Sequence, residues 1–235
     1  MDKSVISDAA STLRITAESL GSPAFKSDYG LRYAYVAGAM YEGISSPAMV
    51  IGLGRAGMLG YLGTGGMRFV EIEAAIQQIQ SALPNSQPYG LNLLYNPAQP
   101  AEEMRLIDLY LHYQVRYIEA AAYMQITPGL VRFRLSGLRR DKAGRLITNH
   151  RILAKVSRPE VAEAFMRPAP KVLVRTLLAA GQITSDQAEF SQTIPMSEDI
   201  CVEADSGGHT DQGVAYVLMP TIRRLSEQIM REYDY

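Results

Sequence analysis

Short, near-continuous apolar runs alternate with amphipathic stretches along almost the whole chain, and this rhythm limits the fold more than any other feature. Residues 1–30 carry no clear period and read as an N-terminal arm with a short helix. Strand-like runs follow: "YAYVAG" (33–38), "MLGYLG" (58–63), "YGLNLLY" (89–95), "YIEAAA" (117–122), "RILAKVS" (151–157) and "DICVEA" (199–204). A helical pattern comes after each. The first has Ser46 as N-cap and Pro47 in its first turn, and the second puts Ile72, Ala75, Ile76, Ile79 and Leu83 on one face. Further helices are expected over 101–113, 127–138, 158–166 and 213–233, the last kinked near Pro220. Residues 168–196 break the rhythm and read as an inserted helical hairpin turning at Gly181. Six β-α units in series imply a parallel α/β sheet covered by helices. A doubly wound sheet and a (β/α)8 barrel both fit, although a complete barrel needs eight units.

Composition narrows the function classes. With 235 residues, the chain makes one large domain or two small ones, and 47% apolar content suffices for a sizeable core. The 23 basic and 24 acidic residues nearly cancel, so no electrostatic footprint points to nucleic acid or an anionic membrane. The single cysteine, Cys201, reads as a buried thiol, and it rules out an intrachain disulfide. No apolar run approaches the ~20 residues of a membrane span, and "MDKSVISDAAS" does not read as a signal peptide. The expectation is a soluble, cytoplasmic protein.

The richest motif is "ICVEADSGGHTDQG" (200–213). Gly207 and Gly208 let the backbone approach a ligand closely, and His209 beside them could exchange protons with it. An ordinary Gly-rich turn with a surface histidine is an equal alternative. "GLGRAG" (52–57) matches the dinucleotide fingerprint, but more glycines follow where that motif needs a helix, so it reads as a helix end. "GTGG" (63–66) follows a strand and is either a ligand cradle or a tight turn. Asn92, Glu119, Lys155 and Glu203 are polar residues in otherwise apolar strands, which is costly without partners. A Lys155–Glu119 salt bridge would explain two of them structurally; one polar residue on each of four strands favours a site. His112 and His150 read as solvated. No residue spacing suggests a metal, and nothing resembles a Ser-His-Asp arrangement.

Taken together, "AGAMYEGISSPAMVIGLGRAGMLGYLGTGGM", "YGLNLLYNP", "IEAAAYMQITPGLVRFRLSGL", "AKVSRPEVAEAFM" and "CVEADSGGHTDQGVAYVLMP" resemble one family. These are the FMN-dependent enoyl reductases acting in trans in polyketide and polyunsaturated fatty acid synthases, relatives of nitronate monooxygenases. The resemblance spans roughly residues 31–235. It implies a (β/α)8 barrel with FMN at the C-terminal strand ends and NADPH or NADH as reductant. The substrate would be an enoyl thioester on an acyl carrier protein. By matching motif, Gly38, Ala39 and Met40 would pass beside the flavin, Asn92 would contact it and Gly207–Gly208 would approach it. His209 would be the catalytic histidine, with Lys155 and Glu203 at neighbouring strand ends. The insertion resembles the family's helical subdomain. Family members continue into two more β-α units that hold the FMN phosphate. The sequence is therefore expected to form an incomplete barrel with weakened FMN binding. Self-association or a complementing C-terminal segment would cover its open edges. Nitronate oxidation on the same flavin, or a non-catalytic remnant acting through association, are the alternatives.

Overall fold

The computed structural model of the protein describes residues 15–84, 87–204 and 213–233. Strands β1 (Val36–Ala37), β2 (Leu59–Leu62), β3 (Gly90–Leu94) and β4 (Tyr117–Ala121) alternate with helices α1 (Pro23–Tyr29), α2 (Pro47–Arg55), α3 (Phe69–Ala82), α4 (Pro100–His112) and α5 (Pro128–Leu135). A small hairpin, β5 (Arg139–Arg140) and β6 (Leu146–Ile147), precedes β7 (Arg151–Val156). Then come α6 (Pro159–Met166), α7 (Lys171–Ala179), α8 (Ser185–Phe190), β8 (Asp199–Val202) and α9 (Ala215–Tyr233). Local chemistry starts these helices where the sequence predicts. Ser46 accepts from the Met49 amide and Thr127 from the Leu130 amide, each followed by a proline in the first turn.

The main sheet has six strands in the order β1-β2-β3-β4-β7-β8, and every pair is parallel. Each strand therefore lies beside its predecessor in the chain, apart from the inserted β5–β6 hairpin. A doubly wound sheet reverses direction at a switch point and places helices on both faces. Here no reversal occurs, and the doubly wound alternative is excluded.

The two faces of the sheet differ. Leu62, Leu91, Leu93, Ile118, Ala120, Ile152, Ala154 and Val156 point outward and pack under the helices, with the predicted α3 face of Ile72, Ala75, Ile76, Ile79 and Leu83 among them. The inner face carries a smaller cluster of Leu59, Tyr61, Tyr117 and Leu153, covered by Tyr29 of α1 and Leu31 after it. Strand register stacks this inner face in layers. Tyr61, Gly90, Tyr117 and Arg151 align across four strands, then Asn92, Glu119, Leu153 and Asp199. Gly90 has no side chain because the Tyr61 ring occupies that space. Helices outside and layered side chains inside are the habit of a barrel wall.

Several expectations need correction. The run 33–38 yields only two strand residues, because the Arg32 and Tyr33 amides are already bonded to Gly57 O. The β5–β6 hairpin was not anticipated. His150 is not solvated but buried, its Nδ1 2.6 Å from Ser136 O. Cys201 is only half-buried. Among the described residues no helix is long and apolar enough to cross a membrane. "GLGRAG" ends α2, as expected, with Gly57 at a φ of +76°.

Candidate active site at the C-terminal strand ends

Four strands deliver polar side chains to one end of the sheet. Asn92 comes from the middle of β3 and Glu119 from β4, directly opposite it in register. Lys155 comes from β7, and Glu203 follows β8. Strand alternation puts all four on the inner face, where outward-facing neighbours anchor the strands in the core. Lys155 Nζ lies 3.3 Å from Glu119 Oε1 and 3.2 Å from Glu203 Oε1. The structure thus joins the salt bridge read as structural to the polar cluster read as a site.

Glu119 is the most constrained member. Its side chain is fully buried, and Oε2 accepts the Ala39 N–H at 3.0 Å. Oε1 faces the ammonium but accepts no aligned hydrogen bond among the described residues. Burial pushes the carboxyl upward, against the pull of Lys155 and the Ala39 amide. For Lys155, burial opposes the charge, but the facing carboxylates of Glu119 and Glu203 outweigh it and hold the pKa above the ordinary lysine value. Lys155 is therefore a cation throughout the neutral range. Cys201 beside it is an inert thiol, raised first by burial and then by Glu119.

The loop after β1 is pinned against the loop after β2. The Met40 amide donates to Ser45 Oγ at 2.6 Å, Gly43 N donates to Gly63 O, and Glu42 N donates to Gly65 O. Gly63 is required here: a Cβ would overlap the Met40 carbonyl oxygen. Asn92 is held by its backbone, whose carbonyl accepts both Thr64 Oγ1 (2.7 Å) and the Tyr110 hydroxyl (2.8 Å). One N–H of its carboxamide donates to Glu119 O at 3.3 Å.

These residues surround a cavity of ≈310 Å³ over the strand ends, lined by Ala39, Met40, Tyr41, Gly65, Asn92, Leu94, Ala121 and Lys155. The structure therefore brings together Ala39, Met40, Asn92 and Lys155 of the expected site. Glu203 joins through its ion pair, and Gly38 sits against the Glu119 carboxylate, 3.3 Å from where its Cβ would be. Gly207, Gly208 and His209 lie outside the described residues. Sequence reasoning missed Tyr41, Leu94 and Ala121 as lining, and Tyr110 and Ser45 as supports. Only Ser45 carried a signal, a hydroxyl directly before the helix cap. Among the described residues no cluster of three metal-ligating side chains occurs. The donor set is an ammonium, a carboxamide and a loop backbone around an apolar-edged slot. That fits a flat ring with heteroatoms along one side, as a flavin has.

The structure is a parallel α/β wall with a polar cluster at its C-terminal strand ends, and a solved structure shares the wall. The enoyl reductase domain of MlnA, from the macrolactin cluster of Bacillus amyloliquefaciens, superposes with a TM-score of 0.90 at 44% identity, over 94% of this chain and 49% of that one. In sequence, the chain is 52% identical over 221 residues to the polyketide biosynthesis protein PksE of Bacillus subtilis, covering 94% of this chain and 29% of PksE. It is 42% identical over 216 residues to a polyunsaturated fatty acid synthase protein of Thraustochytrium, covering 92% of this chain and 14% of that protein. The resemblance to polyketide and polyunsaturated fatty acid synthase proteins thus holds across nearly the whole chain. The chain spans less than a third of these curated relatives. No family model matches it.

Proposed function

We propose that the protein is the catalytic part of an FMN-dependent enoyl reductase, acting on an α,β-unsaturated acyl thioester carried by an acyl carrier protein. The observation that carries this reading is the Lys155–Glu119–Glu203 cluster opening, with Asn92, onto the strand-end cavity. A bound flavin, reduced by NADPH or NADH, would supply the hydride that adds to the β-carbon of the substrate. Ala39 and Met40 would lie along the ring and Asn92 would bond its heteroatom edge. Lys155 would place a positive charge where reduction leaves negative charge on the ring. Glu119 would keep Lys155 in place and the Ala39 loop closed against it. His209, behind Gly207 and Gly208, would give the α-carbon its proton.

The test is an absorption spectrum combined with a turnover assay on the protein. Flavin bands and nicotinamide-dependent reduction of a crotonyl thioester are expected. His209→Ala should keep the bands and lower turnover by about 10²–10⁴-fold. Brisk oxidation of a nitronate without nicotinamide would reverse the assignment, and a colourless, inactive protein would favour the non-catalytic reading.

A further inference from the structure

A second cavity of ≈380 Å³ opens beside the first, between the N-terminal turns of α3 and α4. Gly65 and Leu94 line both cavities, so the two adjoin along a shared wall. The groove has a mixed character that a greasy chain does not need. Phe69, Leu94 and Leu106 form an apolar strip, and Asn96 and Gln99 add amide groups along it.

Besides Arg68, two exposed charged residues line the groove, Glu102 and Arg105, and no ion pair joins them among the described residues. Arg68 is already bonded to Glu71 through its guanidinium. Arg105 is exposed, stacks over the Phe69 ring at 5.0 Å and makes no ion pair among the described residues. The nearby Glu103 carboxyl is engaged elsewhere. That group is buried and pushed upward by burial, and it accepts from Tyr123 and Thr127, away from Arg105. An unpaired guanidinium at the rim of a groove lined by amides and short apolar surfaces is complementary to one kind of ligand. That ligand is a flexible chain of methylenes and amides ending in a phosphate.

We infer that this groove receives the phosphopantetheine arm of the carrier-bound thioester, with Arg105 meeting its phosphate and the thioester end reaching the strand-end cavity past Gly65 and Leu94. The inference rests on the enoyl reductase reading above, and it adds the route by which the substrate enters.

Binding without turnover tests it. By titration calorimetry, the protein should bind S-butyryl-4′-phosphopantetheine about tenfold more tightly than S-butyryl-pantetheine, the gain of one charge-assisted contact. Arg105→Met should bring the two affinities together, because Arg105 is a surface residue whose change leaves the fold intact. An unchanged phosphate preference in Arg105→Met, or no preference in the wild type, would overturn the inference. Leu106→Trp should fill the groove and weaken both ligands while leaving the flavin absorbance unchanged. Loss of flavin in that variant would give the groove to the cofactor and also overturn it. Turnover of S-crotonyl-pantetheine, which lacks the phosphate, tests the reductase reading separately. Its absence beside an intact phosphate preference would sink the reading and not the groove.

Discussion

Buried charges occur at both ends of the strands, and the two ends treat them differently. At the N-terminal end Arg134 of α5 is completely buried, and all three guanidinium nitrogens are used. Nε donates to Pro195 O (3.0 Å), Nη1 to His150 O (2.8 Å) and Nη2 to Glu198 Oε1 (2.6 Å). Glu198 also faces Arg151, which reaches Asp28 near the end of α1. One residue thereby ties α5 to the end of the helical insertion and to the starts of β7 and β8. At the C-terminal end, the Lys155 cluster sets one ammonium between two carboxyl groups without full hydrogen bonding, because Glu119 Oε1 accepts no aligned bond and a cavity opens beside Lys155. Full satisfaction gives rigidity; an incompletely satisfied cluster leaves capacity for a ligand. The contrast matches the general division of a barrel, with stability at the bottom and chemistry at the top.

That comparison is most exposed at Arg134. Arg134→Met should cost about 3–5 kcal/mol, because Glu198 and two carbonyls lose their partner inside the protein. With about 2–4 °C of Tm per kcal/mol for a chain of this size, thermal denaturation would show it plainly. A loss below 1 kcal/mol would mean the bottom is no more committed to stability than the top.

A smaller loss, about 1–3 kcal/mol, is expected for Lys155→Met, since the side chain keeps contact with the cavity and Glu203 is partly solvated. Adding Glu119→Gln to Lys155→Met should recover most of it, because the residue left buried would no longer need a counter-charge. Loss in the double variant equal to the sum of the single ones would show that the pair is not coupled.

The smallest effect concerns pH. His150 sits under the Arg134 contact, and its pKa is depressed, mainly by burial, with help from Arg116 and Arg134. A depressed folded value means the unfolded chain binds the proton more readily. Its contribution is therefore full above the unfolded pKa of ~6.5 and is lost as pH falls below it, at no more than about 1.4 kcal/mol per pH unit. In denaturant titrations from pH 7.5 to 5, His150→Phe should flatten that slope. An unaltered slope would place the acid sensitivity elsewhere.

How much of this was written in the sequence differs between the same two ends. The wall was legible because its helices and all its strands but the shortened β1 announced themselves locally: Ser46 and Pro47, the Ile72–Ile79 stripe, the turn at Gly181. The polar residues of the top were also legible, since Asn92, Glu119 and Lys155 interrupt apolar strands. The bottom was not. Arg134 lies in "VRFRL" with nothing to tell it from the more exposed Arg132, and His150 follows polar Thr148 and Asn149. Their burial depends on segments that meet only when the chain folds, since Pro195 and Glu198 lie some sixty residues away. The β5–β6 hairpin failed for a different reason. Two-residue strands are too short to show a period, although the turn 141–144 ends in a glycine with φ +79°.

The order of the strands also has a kinetic consequence. Because each main-sheet strand pairs with the one made just before it, apart from the small hairpin, the wall can extend one unit at a time as the chain leaves the ribosome. Waiting for a distant strand is not required. The connection from β7 to β8 is about twice as long as that from β3 to β4, which as a flexible loop would add only about 0.6 kcal/mol to closure. The helical insertion can therefore vary in length and content while the register of the wall, and the spacing between Glu119 and Lys155 that depends on it, stays as it is.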